Sequence, residues 1–399
     1  MKKRLLIVYP DVPYPPNRNG MSIRYYPLIR RLAVDHEVTL ICRWSEGEEP
    51  DLGDLGDWVE ELHVLRLEPK SKSLRNRIGG AMSRISPFGI PYKAYDYNAE
   101  LTANWIVECL KGRYDSVLCA GLSQRLRMIR WKIDTARFVV DIVDSPSLMM
   151  ERRPDSPAFK KDLKVRKIKR WEAALINLAD AAVYISPVDQ RQVEHRIDPR
   201  VELDFIPNGV FVDDHTEEAV DLPSPSVGIL GNMSYPPNIE MALSLHQMWN
   251  QLRATTHPNL HLCIIGRLPH PSVAALAGPG VTVTGAVPNI WSWVNAVDLF
   301  VVDMKQGAGL QNKLLEIMYA GRPIVASPEA NGGLGAIEGE SIELARNEPE
   351  FLEKMTALLD DPDRRSRIGA GGRRFVEAEY LWDSVYRKFD RFIRGAQET

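Results

Sequence analysis

The chain has 399 residues, of which 44% are hydrophobic and 26% are charged, and its formal net charge is −3. This length is too great for one ordinary α/β core and predicts two domains of about 200 residues each. The small net charge gives no reason to expect a nucleic-acid partner. The four cysteines lack metal-ligand spacing, which excludes a cysteine-based metal site.

The amino terminus has the charge of a signal peptide but not its apolar core. Met1 to Arg4 is basic, yet the apolar run behind it stops at Pro10, which is too early. No apolar run reaches the length of a transmembrane helix. The scattered cysteines are typical of a reducing compartment. We therefore expect a cytoplasmic protein, at most peripheral at the inner face of the cell membrane.

Apolar runs typical of buried parallel strands recur along the chain, with helical patterns between most of them. In the first half they lie at residues 5–9, 37–42, 62–67, 116–120, 138–143, 181–185 and 203–206. In the second half they lie at residues 227–230, 261–265, 281–284, 299–302 and 324–326. Strands that alternate with helices predict the α/β class, here as two doubly wound parallel-sheet (Rossmann-like) domains facing each other across a cleft.

The domain boundaries follow from turn chemistry and composition. Residues 1–207 form the predicted amino-terminal domain, and the turn-forming, acidic and Pro/Ser-rich residues 208–226 form a linker. Residues 227–378 form the predicted carboxy-terminal domain. The chain then continues as helix, and residues 379–399 are a separate carboxy-terminal segment.

Two stretches are rich in basic residues. Five cations and no acid lie between Lys70 and Arg84, and nine cations accompany two acids between Arg152 and Arg170. Such a stretch can lie on an anionic membrane, line a solvated helix face or hold an acidic substrate. Peripheral membrane contact is the hypothesis for the first stretch, with a solvated face as its alternative. A solvated helix face is favoured for the second.

A glycine-rich loop joins a buried strand to a helix near residue 310. The apolar run 299–302 is followed by a Gly-Ala-Gly turn at 307–309, which permits exposed backbone amides. A helix that begins near Leu310 directs its N–H groups and the positive end of its dipole into that turn. The predicted phosphate site is formed by Gly309, Leu310, Gln311 and Asn312.

Lys313 and Glu316 share the narrow polar face of that helix, at 3.6 residues per turn. Lys313 is a compact cation suited to a diphosphate, and Glu316 is an acceptor suited to a pair of sugar hydroxyls. The alternative is an ordinary exposed ion pair between residues three apart on a helix. Together with the glycine turn, and with Gly321 at the helix end, the pattern favours a pocket for a nucleotide-activated sugar.

This segment resembles the donor-site motif of the retaining glycosyltransferases of family 4 (glycosyl transferases group 1), which adopt the GT-B fold. The resemblance is specific from about Gly285 to Ser327. In that family two glutamates bracket the donor and a lysine between them meets the diphosphate. Lys313 and Glu316 match the lysine and the second glutamate, whereas Ala308 stands in the place of the first. The resemblance also implies that the last helix crosses back onto the first domain.

The second domain departs from the family at two more positions. Gly231 follows the first strand of this domain, and many relatives have an arginine after this glycine and a lysine about six residues later. This chain has Asn232 and Asn238 there. Because two cations are lost, we expect Arg267 and Lys305, each just past a strand end, to contact the donor's phosphates in their place.

The first domain contributes three candidates. Gly20 matches a glycine of the family's loop after the first strand and would let backbone approach a phosphate, with a simple surface turn as the alternative. Arg24 would add positive charge to that site. Asp144 ends a strand and could orient or deprotonate an acceptor hydroxyl, or else serve as a turn or capping residue before Ser145. No catalytic histidine is transferred from the family.

These observations predict a glycosyltransferase that moves a sugar from a nucleotide-diphosphate sugar to a glycan or a lipid-linked acceptor with retention of configuration. The expected setting is the synthesis of cell-surface polysaccharide or glycoconjugate. We expect neither a cofactor nor a metal, because Lys313 and backbone amides can neutralise the departing diphosphate. The alternatives are a nucleotide-sugar epimerase or hydrolase, and a non-catalytic GT-B binding subunit suggested by Ala308, Asn232 and Asn238.

Overall fold

The computed structural model describes residues 2–16, 18–44, 49–66, 114–123, 125–132, 136–152, 158–212, 215–305 and 310–395. Contacts between residues divide the chain into two units. The first unit comprises Met1–Asn208 together with the end of the chain from Val385, and the second comprises Gly209–Ser384. Among the described helices, none combines the length and the apolar character that crossing a membrane requires.

The first unit contains a sheet of seven parallel strands in the order β3-β2-β1-β4-β5-β6-β7. Its strands are β1 (Lys3–Val8), β2 (His36–Trp44), β3 (Glu61–Arg66), β4 (Ser116–Ala120), β5 (Arg137–Val143), β6 (Ala181–Tyr184) and β7 (Glu202–Phe205). Its helices are α1 (Gly20–Asp35), α2 (Leu55–Trp58), α3 (Arg125–Lys132), α4 (Pro146–Glu151), α5 (Ala158–Ile176) and α6 (Pro187–Gln190).

The second unit contains a sheet of six parallel strands in the order β10-β9-β8-β11-β12-β13. Its strands are β8 (Ser226–Leu230), β9 (His261–Ile265), β10 (Val281–Val283), β11 (Leu299–Val302), β12 (Ile324–Ala326) and β13 (Glu343–Leu344). Its helices are α7 (Pro236–Thr255), α8 (Pro271–Ala274), α9 (Ile290–Val294), α10 (Asn312–Tyr319), α11 (Pro328–Asn331), α12 (Glu348–Asp360) and α13 (Pro362–Glu379), and the final helix α14 (Trp382–Arg394) begins in this unit and ends in the first.

The strands are continuous apolar runs because helices cover both faces of a parallel sheet. Leu5 to Val8 in β1 are all buried, and this strand pairs in parallel with β2 on one side and β4 on the other. The α/β class with two doubly wound parallel sheets is therefore confirmed. Strand β13 was not predicted, because two residues are too few to show a periodic pattern.

Helix α1 starts earlier than Pro27 suggests. A proline lacks the N–H that continues a helix, so the sequence predicts a start close to Tyr25 or Tyr26, with an irregular turn before it. In the structure the helix begins at Gly20, and the side chain of Asn19 caps it by accepting a hydrogen bond from the backbone N–H of Ser22 at 2.9 Å. This cap stabilises the first turn, and Pro27 is accommodated inside the helix.

The segment predicted as a linker packs with the second unit. The backbone N–H of Val210 donates to the carbonyl of Tyr380 at 2.7 Å. The amide of Asn295 donates to the backbone carbonyls of Thr216 and Glu218 at 2.6 and 3.1 Å. The chain therefore changes unit directly after Asn208, and Gly209–Ser384 form the second unit.

Helix α13 carries three glycines that let it pack against backbone. A Cβ atom on Gly369 would overlap the carbonyl oxygen of Gly321, and one on Gly371 would overlap that of Glu340. Gly372 lies against Ser341 in the same way, at a wider spacing. Glycine lowers helix propensity, so its presence here reflects the close approach of two backbones.

We expect Gly371→Ala to lower the free energy of unfolding by about 2 kcal/mol, because the added methyl group forces α13 away from the backbone it contacts. Denaturant unfolding followed by circular dichroism measures this change. Gly56→Ala in α2 is the control, because no atom lies within 4 Å of a Cβ built at that position. Equal stability of the two variants would contradict the close-packing explanation.

Candidate active site

Helix α10 is anchored by its apolar face. Four buried side chains hold it, Leu314, Leu315, Ile317 and Met318, and Leu310 just before the helix is buried as well. The helix begins at Asn312, two residues later than predicted, and the preceding Gln311 makes no capping hydrogen bond with its side chain. Nothing within the helix therefore compensates the positive end of its dipole. The predicted turn with Ala308 and Gly309 lies outside the described residues.

Lys313 is held by the side-chain amide of Asn238, a residue that stands where many relatives have a lysine. Its ammonium donates a hydrogen bond to Oδ1 of Asn238 at 2.7 Å. The amide nitrogen of the buried Asn238 in turn donates to the backbone carbonyl of Asn232 at 2.9 Å. A Cβ atom on Gly231 would lie 2.6 Å from that nitrogen, so only glycine fits there. The structure thus brings Lys313, Asn232 and Gly231 together through Asn238.

The ammonium of Lys313 and the carboxylate of Glu316 do not form the ordinary ion pair that their spacing allows. Lys313 bonds to Asn238 instead, and the carboxylate of Glu316 accepts no hydrogen bond from any residue that the structure describes. Burial raises the pKa of Glu316 to about 7, although the charge of Lys313 opposes the shift. Burial likewise lowers the pKa of Lys313 to about 8, opposed by Glu316. Both charges therefore lack full compensation and favour a ligand that supplies it.

The loops after β8 and β9 are fixed to each other by backbone bonds. The N–H of Gly231 donates to the carbonyl of Ile265 and the N–H of Met233 donates to that of Arg267, both at 3.0 Å. A Cβ atom on Gly266 would overlap the carbonyl oxygen of Gly231. Arg267 is consequently held beside the Gly231 loop, and its side chain is partly exposed.

Two other predicted phosphate contacts occupy open positions. Lys305 is exposed just after β11, at the edge of the region that the structure leaves undescribed. Gly20 begins α1 in the first unit, and no atom lies within 4 Å of a Cβ built there. Both positions are accessible to a ligand in the unit to which they belong.

The prediction for Arg24 was wrong. Its side chain is fully buried, and its guanidinium donates to both carboxylate oxygens of Asp141, at 2.7 and 3.0 Å. A third N–H donates to Oδ1 of Asn208 at 2.9 Å, and the guanidinium carbon lies 4.9 Å from the ring centroid of Phe389. These contacts use the charge of Arg24 inside the protein, so it is not available to a phosphate. The sequence could not show that its partner lies 117 residues away.

Asp144 is a partly exposed carboxylate that forms no hydrogen bond with any described residue. The capping function that was its alternative belongs to Ser145, whose hydroxyl accepts from the N–H of Leu148 at 3.2 Å. Burial, and then the charge of Asp189, raise the pKa of Asp144 to about 6. Val143, directly before it, has a φ of 67°, which strains a β-branched residue. Such strain is typical of functional positions.

A buried polar group that sequence reasoning missed supports the turn at 143–147. Asp189 accepts from the N–H of Ser145 at 2.9 Å and also from the hydroxyl of Ser186. Glu172 accepts from the N–H of Ser147 at 3.1 Å and from the hydroxyl of Tyr184 at 2.7 Å. Ser186 and Asp189 have capping-box spacing, which was a usable signal in the sequence. This group fixes the backbone that directly follows Asp144.

Within the described parts of the chain, no cluster of three or more His, Cys, Asp or Glu side chains has the geometry to hold a metal ion. The cations predicted for a donor site in the second unit are Lys313, Arg267 and Lys305. The first helix turn of α10 adds to their positive charge through the helix dipole.

Comparison with known proteins gives matches in both sequence and fold. Residues 224–361 match the model of the family described as glycosyl transferases group 1. A GDP-mannose-dependent monoacylated alpha-(1-6)-phosphatidylinositol monomannoside mannosyltransferase of Corynebacterium glutamicum is 29% identical over 114 residues, which cover 25% of this chain and 28% of that protein. The curated relatives are therefore matched over about a quarter of their length.

Solved structures match over nearly the whole chain. Sucrose-phosphate synthase from Thermosynechococcus elongatus superposes with a TM-score of 0.69 at 16% identity, covering 98% of both chains. The Anabaena protein HepE, solved with UDP and glucose, superposes with a TM-score of 0.63 at 14% identity, again covering 98% of both chains. The chain therefore has the GT-B fold, and its residues 224–361 match the model of the glycosyl transferases group 1 family.

Proposed function

We propose that this protein transfers a sugar from a nucleotide-diphosphate sugar to a glycan or a lipid-linked acceptor, with retention of configuration, in the synthesis of cell-surface polysaccharide or glycoconjugate. The observation that carries the proposal is the arrangement on α10. Lys313 is held by a neutral amide at the first helix turn, and the carboxylate of Glu316 is open one turn deeper. A cation and an acceptor in this order suit a diphosphate followed by a sugar.

In this proposal the diphosphate binds to Lys313 and to the amino-terminal turn formed by Leu310, Gln311 and Asn312. The amide of Asn238 holds the ammonium in place without neutralising its charge. Charge therefore remains available for the bond-breaking step, in which the diphosphate departs with increased negative charge. Arg267 and Lys305 supply further cations, which is why the proposed reaction needs no metal.

Glu316 is proposed to accept hydrogen bonds from hydroxyl groups of the donor sugar. Its half-buried carboxylate forms no hydrogen bond with a described residue, and an acceptor that is partly removed from water is stabilised by hydrogen-bond donors. Sugar hydroxyls would supply the missing donors and would favour the ionised form of Glu316. The position of Ala308 leaves the family's first glutamate without a counterpart, so more of the sugar recognition falls to Glu316.

On the first unit, Asp144 is proposed to orient or deprotonate the acceptor hydroxyl. A carboxylate with a pKa of about 6 is ionised at neutral pH and is a better base than an ordinary aspartate. Gly20 is proposed to let backbone approach a phosphate. The resemblance to family 4 implies front-face attack, so no covalent nucleophile of the enzyme is proposed.

The relatives support this choice of substrates. The Corynebacterium glutamicum relative is named as GDP-mannose-dependent and as acting on a phosphatidylinositol mannoside, and the Anabaena structure contains UDP and glucose. A GDP- or UDP-linked hexose is accordingly the proposed donor class, and a glycolipid is one proposed acceptor. Ala308 still motivates a non-catalytic binding subunit, which the Asp144 experiment below distinguishes from a transferase.

Uridine diphosphate and guanosine diphosphate are tested separately, and the one that matches the donor should raise the melting temperature of the protein, because a ligand of the native state stabilises it. Lys313→Ala should weaken binding by about tenfold to a hundredfold, as expected for a lost charged hydrogen bond. Asn238→Ala should weaken it less, since the cation remains but is no longer positioned. Thermal shift and titration calorimetry measure both effects.

The control for the second variant is Asn250→Ala, an exposed asparagine on the same helix α7. It should leave nucleotide affinity unchanged. If Lys313→Ala bound the nucleotide as tightly as the wild-type protein, the proposed donor site would be wrong.

Nucleotide affinity should fall by about tenfold between pH 7.5 and pH 9.5, because Lys313, with a pKa of about 8, loses its proton in this interval. The protonated form binds the diphosphate, so the loss runs toward high pH. Titration calorimetry at several pH values, with the nucleoside diphosphate that the thermal-shift experiment identifies, measures this fall in affinity. In Lys313→Arg the charge persists throughout, and its affinity should change little. An equal fall in both proteins would show that another group titrates.

Asp144→Asn should lower transfer of labelled sugar into lipid or polymer by about a hundredfold or more while leaving donor affinity intact, because a base is lost but the donor site is not. The wild-type rate should also fall below pH 6 as Asp144 gains a proton. Asp198→Asn is the control, an aspartate of the first unit paired with Arg200. Transfer by Asp144→Asn at the control's rate would remove Asp144 from the mechanism. A wild-type protein that binds nucleotide but transfers nothing would favour the binding subunit.

A further inference from the structure

Helix α5 has one buried face and one strongly basic face. Its buried face is formed by Val165, Ile168, Glu172, Leu175 and Ile176. At 100° per residue, Arg166, Lys167 and Arg170 lie on the opposite side, with Lys164 at its margin. Lys164, Arg166 and Arg170 are exposed and Lys167 is partly exposed. We call these four residues the α5 basic face.

The charges of the α5 basic face are not compensated. None of the four cations forms an ion pair or a hydrogen bond with another residue that the structure describes. By contrast, Lys169 on the same helix lies 3.7 Å from Glu151. Like charges at spacings of three and four residues repel one another and weaken a helix. The whole chain has a net charge of −3, so this local excess of positive charge is not a general property of the protein.

One exposed apolar side chain lies within the basic face. Leu163 is 50% exposed and lies between Lys167 and Arg166 around the helix circumference. Large exposed apolar residues among cations are typical of surfaces that meet lipid, because a cation contacts the headgroups while the apolar group enters the boundary below them.

We propose that the α5 basic face, with Leu163, binds the surface of an anionic lipid bilayer. Nucleic acid would use the cations but gain nothing from the exposed Leu163, which is why the observations favour lipid. This surface lies within the second basic stretch, Arg152 to Arg170, for which the sequence alone favoured a solvated helix face; the exposed Leu163 among the cations is the observation that favours lipid. It is separate from the stretch between Lys70 and Arg84, which lies outside the described residues. The inference goes beyond the proposed sugar transfer and does not depend on it, because vesicle binding needs neither donor nor acceptor.

The test is co-sedimentation of the full chain with phosphatidylcholine vesicles containing about one third phosphatidylglycerol, and with phosphatidylcholine alone. The wild-type protein should co-sediment with the anionic vesicles at low salt. It should dissociate from them at high salt and should not co-sediment with the neutral vesicles. Arg166→Gln with Arg170→Gln should reduce partitioning by about tenfold to thirtyfold, given the contribution of each cation near such a surface. Leu163→Gln should reduce it several-fold.

Two matched controls come from the second unit. Arg367→Gln with Arg374→Gln removes two exposed arginines from helix α13 that also have no partner in the described structure. Leu268→Gln replaces a leucine that is 62% exposed. Both controls should bind vesicles within about twofold of wild type, and unchanged melting temperatures should show that all variants are folded.

Three results would overturn the inference. Wild-type binding that survives the Arg166 and Arg170 changes would assign the membrane contact to another surface. An equal loss in the Arg367 and Arg374 control would indicate general electrostatic attraction. Binding to short duplex DNA that depends on Arg166 and Arg170 but not on Leu163, without vesicle binding, would identify a nucleic-acid surface.

Discussion

Both units are built from parallel strands, and this constraint decides where their chemistry can lie. Parallel strands all end at the same edge of a sheet, so the loops that follow them become neighbours. In the second unit the ends of β8, β9 and β11 bring together Gly231, Arg267 and the approach to α10. In the first unit the end of β5 presents Asp144. Each candidate group thus occupies the edge that the strand direction selects.

Two cations show how the partner of a charge decides its use. Arg24 is fully buried, and a carboxylate that accepts two hydrogen bonds neutralises it, so it stabilises the first unit. Lys313 is held by the neutral amide of Asn238, which fixes its position and leaves its charge uncompensated. Replacement of a family cation by Asn238 therefore removes one charge and also orients another.

The surroundings of Asp144 follow a similar division. Asp189 and Glu172 have hydrogen-bond donors from backbone and side chains, which makes their burial tolerable. Asp144 lies between a strained Val143 and a backbone amide held by Asp189, and it has no such donor within the described structure. A rigid frame around one unsatisfied carboxylate is what a positioned base requires. Glu172 lies on the buried face of helix α5, and the α5 basic face lies on the opposite, exposed side of the same helix.

The sequence by itself determined the α/β class, nearly all of the strands and the shared polar face of Lys313 and Glu316, because these follow from local periodicity over a few residues. Helix starts were less well determined, since Asn19 caps α1 well before Pro27. Only the tertiary structure decided that Arg24 pairs with Asp141, that Asn238 holds Lys313 and that Ser145 rather than Asp144 caps α4. Two of these are contacts across 75 residues or more, and no local pattern encodes which distant side chain a given charge will meet.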